Sequence, residues 1–105
     1  MSRTSQVDPE LDNLIAEITT DCYDEDEALS AFENAFDEEV SFPIPAVVVG
    51  EEIEVLSVGT SDGRRELIAT CQRAGRRHQL ALLDITIHPD QPAARLLAAY
   101  RRWLA

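Results

Sequence analysis

The chain has 105 residues, 45% of them hydrophobic and 28% charged, which suits one modest core and argues against wholesale disorder. Its formal net charge is -11, so nucleic acid and anionic membrane are excluded as natural partners by repulsion. No apolar run approaches the ~20 residues that span a bilayer, and the opening MSRTSQVDPELD lacks the apolar stretch of a signal peptide; a cytoplasmic protein is expected.

The charge is unevenly spread. Residues 1–54 carry sixteen acids and one arginine, or -15, while residues 55–105 carry four acids and eight arginines, or +4; there is no lysine. Cations, basic proteins or the chain's own arginine-rich half are the partners such a surface attracts.

In chain order, residues 1–7 read as a flexible tail and 8–105 as a single domain. Asp8-Pro9-Glu10 is a helix start, with a capping acid and proline at the first helical position. Leu11, Leu14, Ile15, Ile18 and Cys22 then follow a helical stripe. TTDCYD breaks the pattern, and a second helix starting near Asp24 presents Leu29, Phe32, Ala35, Phe36 and Val40 on one face. The two stripes suit an antiparallel helical hairpin.

Pro43 and Pro45 in SFPIPAVVVG force extended backbone and end helical behaviour. Three strand-like runs follow, EIEVLSV, RRELIATCQR and RHQLALLDI, separated by GTSDG and AGR as hairpin turns. They predict a small, curved antiparallel sheet of SH3-like form. A last helix starts around Asp90 to Pro92 and carries Ala93, Leu96, Leu97, Tyr100 and Leu104 on its inner face. The fold class is α+β: a helical hairpin, a sheet and a C-terminal helix.

Chemistry that would mark an enzyme is missing. There is no GxSxG, no glycine-rich phosphate loop and no HExxH. His78 and His88 are single, and Ser57, Thr60 and Ser61 have no evident base, so the chain reads as not an enzyme. Cys22 and Cys71 form no CxxC and read as half-buried free thiols. Phe42, Tyr100 and Trp103 read as core or rim residues rather than base-stacking platforms.

Two acid clusters remain. Asp24 to Glu27 lie in the first turn of the second helix, where carboxylates favour the positive end of the dipole by ~0.3–1 kcal/mol each; Asp21 adds another just before. Asp37, Glu38 and Glu39 lie in the last turn, where the dipole opposes them, and Glu33 with Asp37 is a like-charged i,i+4 pair. A divalent cation, the chain's own arginines or bulk water could compensate. Asp26 and Asp37 are roughly 16 Å apart along the axis, so one ion cannot bridge them. The hairpin instead suggests two poles, with Asp8, Glu10 and Asp12 brought near Asp37 and Glu38. All donors are oxygen, which suits Ca²⁺ or Mg²⁺ rather than Zn²⁺. An EF-hand is excluded: a loop starting at Asp24 has Leu29 where glycine is needed and Ala35 at the closing glutamate.

The stretch DCYDEDEALSAFENAFDEEVSFPIPA resembles the small calcium-binding proteins first described in cyanobacteria, the CcbP type. Asp21, Tyr23, Asp26, Glu27, Asp37, Glu38, Phe42, Pro43 and Ala46 match the family's acidic helix and its Phe-Pro exit. Phe32 stands where a tryptophan is usual, and Val40 replaces leucine. Downstream, VGEEIEVLSVG and LIATCQRAGRRHQLALLDI look like the family's strands, so the resemblance spans residues 18 to 87. The short segment from Ala46 to Gly50 and the arginine-rich last helix depart from it.

The resemblance implies calcium binding by surface carboxylates, with Asp21, Asp26 and Glu27 serving one site and Asp37 and Glu38 the other. The function expected is a non-EF-hand calcium buffer or weak sensor. The alternative is an acidic interaction module that docks on a basic protein partner or mimics nucleic acid. A third reading is self-neutralisation, with Arg95, Arg101 and Arg102 laid against the acidic hairpin.

Overall fold

The computed structural model describes residues 8–60 and 65–104. The tail expected over residues 1–7, and residues 61–63 of the GTSDG turn, lie outside them. No described helix is long and apolar enough to cross a membrane.

Helix α1 (Pro9–Ile18) begins as the sequence predicts: the Asp8 carboxylate accepts the Leu11 N–H at 3.1 Å, with Pro9 at the first position. It ends where the Thr19 hydroxyl turns back to the Ile15 carbonyl at 2.7 Å. Cys22 therefore falls beyond the helix rather than on its stripe. Asp21, at φ 66, takes the left-handed conformation that turns the chain toward the next helix. Helix α2 (Glu25–Glu39) is capped by Asp24, and every member of its predicted inner face, Leu29, Phe32, Ala35, Phe36 and Val40, is buried.

The Phe42–Pro43 peptide is cis. Four strands follow, β1 (Ile44–Val48), β2 (Glu51–Thr60), β3 (Leu67–Arg73) and β4 (Arg76–Ala81), paired antiparallel in chain order. A bulge between Val55 and Ser57 bends β2 and accounts for the curvature. Two hairpins are two-residue turns with both central residues at positive φ: Val49 and Gly50 at 49° and 79°, and Ala74 and Gly75 at 53° and 77°. This is the type I′ geometry whose twist matches that of the strands.

The run RHQLALLDI is not one strand. Leu82–Asp84 form a 3-10 turn, because Leu82 swings inward to full burial and takes the chain off the ladder. Beyond it, Thr86 meets β1: Val47 N–H donates to the Thr86 carbonyl at 2.8 Å, and Thr86 N–H to the Val47 carbonyl at 2.9 Å. The sheet is otherwise open, and β4 is its far edge, with Arg76 to Gln79 all exposed.

Helix α3 (Pro92–Leu104) closes the core with Ala93, Leu96, Leu97, Ala99 and Tyr100. Leu104, expected inside, is 40% exposed, as the last residue of the helix. Phe32, Tyr100 and Trp103 form an aromatic cluster, with centroids 5.6 Å apart for Phe32–Tyr100 and 5.1 Å for Phe32–Trp103. Burying each large apolar side chain contributes ~1.5–3 kcal/mol, so this cluster anchors the acidic helix to the domain.

Candidate metal centre

The first acid cluster is partly consumed by the helix it starts. The Glu27 N–H donates to Asp24 Oδ1 at 2.8 Å, and Glu27 Oε1 accepts the Tyr23 N–H at 3.0 Å. Together they fix the helix start as a variant of the capping box, in which the glutamate takes the N–H one residue before the cap. Asp26 lies 3.9 Å from Arg65, with both side chains more than two-thirds exposed, so the contact is a loose surface pair. Asp21 and Tyr23 are exposed in the turn before α2, Tyr23 at 91%.

The second cluster is open to solvent. Asp37, Glu38 and Glu39 are all exposed, and the last turn of α2 contains no base to offset them. The expected approach of Asp8, Glu10 and Asp12 is only partly available. Asp12 is taken by Arg102, whose Nε and Nη2 donate to its two carboxylate oxygens at 2.7 and 3.3 Å. That fork holds the Asp12 carboxyl below its ordinary value and raises the arginine, chiefly through the side-chain hydrogen bond. Self-neutralisation is thus realised at one contact. Arg101 is used differently, donating to the Leu83 and Ile85 carbonyls at 2.8 and 2.7 Å.

Glu38 instead lines, with Glu17, Glu39 and Asn34, a groove of about 370 Å³ between α1 and α2, whose apolar lining is Leu14, Ile18, Ala31 and Ala35. Glu17 is the residue the sequence reading missed; the hairpin register alone could have pointed to it. Among the described residues, no three histidine, cysteine or acidic side chains come close enough to hold a metal ion together. The donor chemistry, all carboxylate and amide oxygen, fits a hard cation such as calcium. Among the described residues the acids are spread rather than gathered, which leaves much of a cation's shell to backbone carbonyls and water.

No family model matches the sequence, and no curated protein matches it. Two solved structures are similar in fold. One is Anabaena CcbP, at a TM-score of 0.77 and 19% identity, covering 94% of this chain and 92% of that one. The other is a calcium binding protein in its calcium-binding form, at a TM-score of 0.76 and 19% identity, covering 99% of this chain and 95% of that one. The α+β architecture expected from the sequence pattern is therefore the fold this chain shares with CcbP over nearly its whole length, the last helix included.

Proposed function

We propose that the protein binds calcium without an EF-hand, as a buffer or weak sensor, through the carboxylates of α2 and the turn before it. The observation that supports this best is the near full-length likeness to a protein whose structure is of a calcium-binding form. The uncompensated acid at the end of α2 fits the same reading. Asp21, Asp26 and Glu27 form one pole of the proposal and Asp37 and Glu38 the other. Glu27 keeps Oε2 for a cation while Oε1 caps the helix. Acids that do not gather in threes among the described residues argue for modest affinity, since calcium sites tighten with the number of charged ligands and with rigidity. The role is binding rather than catalysis.

Calorimetric titration of calcium into chelator-stripped protein, repeated in millimolar magnesium, tests this. Saturable binding that survives magnesium is expected, and Asp37→Asn/Glu38→Gln should remove one binding event. Unchanged stoichiometry and affinity in that variant would remove the second pole from the proposal. If magnesium abolishes all binding, the clusters are diffuse counter-ion traps. The alternative, docking on a basic protein, then stands, favoured by the failure of three acids to converge among the described residues.

A further inference from the structure

Strand β1 has a composition that its surroundings do not explain. Its residues, IPAVV, are apolar on both faces, the pattern of a strand covered on both sides. Ile44 and Ala46 are buried against the core, while Pro45 and Val47 point the other way and are exposed. The register places Pro45 opposite Glu54, Val47 opposite Glu52 and Glu54 opposite Gln72, so one outer face carries an apolar strip beside two carboxylates.

This face is the floor of a groove of about 690 Å³. Its far wall is the turn from His88 to Gln91, which follows the Thr86 bridge to β1. The wall is tied down: Gln91 N–H donates to the His88 carbonyl at 2.9 Å, and Asp90 N–H to His88 Nδ1 at 3.2 Å. Pro89 adds an apolar surface to the same groove that Pro45 and Val47 line. Of the side chains lining it, Arg73 is held by Glu51 at 2.7 Å and His88 Nδ1 accepts the Asp90 N–H. Glu52 and Glu54 form no ion pair with a described residue, so the groove has an apolar floor and uncompensated negative charge.

We propose that this groove docks an extended basic segment of a partner protein, its apolar side chains on Pro45, Val47 and Pro89 and its arginine or lysine side chains on Glu52 and Glu54. Pro45 and Val47 on β1 and Glu52 and Glu54 on β2 line the groove side by side, so a chain carrying both apolar and basic side chains meets both kinds of surface. The groove's charge selects a basic occupant and rejects nucleic acid. Proline at position 45, without an N–H, directs recognition to side chains rather than to an added strand. The surface lies on the sheet, away from the α2 carboxylates of the proposed calcium sites, and does not depend on them.

A fluorescein-labelled hexapeptide of alternating arginine and valine is the probe, read by anisotropy against the whole chain. Saturable binding is expected, weakened about tenfold by Glu52→Lys/Glu54→Lys. Val47→Asp separates the groove from simple charge attraction: it adds an acid, so it tightens a purely electrostatic contact and weakens a docked peptide. Glu38→Lys/Glu39→Lys makes the same charge change on α2 and should cost much less. Equal weakening by the two reversals, or tighter binding by Val47→Asp, overturns the proposal. So does a dimer of the protein alone that Val47→Asp disperses, since the occupant is then a second copy. Loss of calcium binding in Glu52→Lys/Glu54→Lys also overturns it, by assigning those carboxylates to an ion; failure of calcium binding in every variant leaves the groove result standing by itself.

Discussion

Tyr100 joins α3 to the sheet through its hydroxyl, which accepts the Leu67 N–H at 2.8 Å with both residues fully buried. Burial raises the phenol above its ordinary range, outweighing the opposing pull of that hydrogen bond. A buried N–H left without an acceptor costs ~1–3 kcal/mol, so Tyr100→Phe should destabilise the domain by about that amount. Urea unfolding measures it: a midpoint equal to that of the parent chain would mean that the bond contributes nothing. At this scale the sequence was legible wherever an interaction is local. The caps at Asp8 and Asp24 follow from residue type and position within three residues. The Tyr100–Leu67 bond spans 33 residues, and no periodicity encodes it. Glu27 is a mixed case, because the same carboxylate that looked like a ligand is also the partner that a capping box requires.

The four-stranded meander depends on two tight turns of identical geometry and unequal sequence. Ala74-Gly75 was readable as a turn from its glycine. Val49-Gly50 was hidden in SFPIPAVVVG, because valine is among the residues least suited to positive φ and the run read as simply extended. Val49 is 95% exposed and packs against little, so its side chain returns scarcely any burial for the strain. Val49→Asn creates the Asn-Gly pair preferred in type I′ turns and should stabilise the protein by about 1 kcal/mol. Calorimetric melting should then rise by several degrees, and an unchanged midpoint would show that the valine conformation is not strained. The helices, by contrast, were set by apolar spacing and terminal chemistry, and α2 buries all five of its predicted inner residues. The 3-10 turn at Leu82 escaped because a short apolar run has no period that separates strand from turn.

Across the whole molecule, the charge asymmetry is partly resolved by α3 reaching α1 through Arg102 and Asp12. Because the folded Asp12 carboxyl lies below its ordinary value, the contribution of the pair is complete above that value and is lost as pH falls through the lowered one. Melting curves of the parent chain and Asp12→Asn should therefore differ at neutral pH and converge in strongly acidic buffer. A gap that persists at acid pH would show that the asparagine disrupts packing rather than charge. The candidate site was legible as composition but not as geometry. Acids at both ends of α2 can be counted in the sequence, whereas the groove that Glu38 and Glu17 share depends on how two helices settle, and the claim of Arg102 on Asp12 spans 90 residues. The docking groove had only a faint signal, an apolar run where an exposed strand face would alternate.

The open edge at β4 bears on how the protein behaves in concentrated solution. An unpaired strand is a template on which further copies can grow into fibrils. Here the template begins Arg76, Arg77, His78, with Arg73 directly across the hairpin from Arg76. Two such edges approaching each other would gather several arginines of like charge, and that repulsion opposes pairing. On the opposite side of the sheet, Pro45 and the Thr86 bridge blunt the β1 edge. The basic residues that look out of place in so acidic a chain thus put like charge on the one long strand edge that the described residues leave open to a second copy.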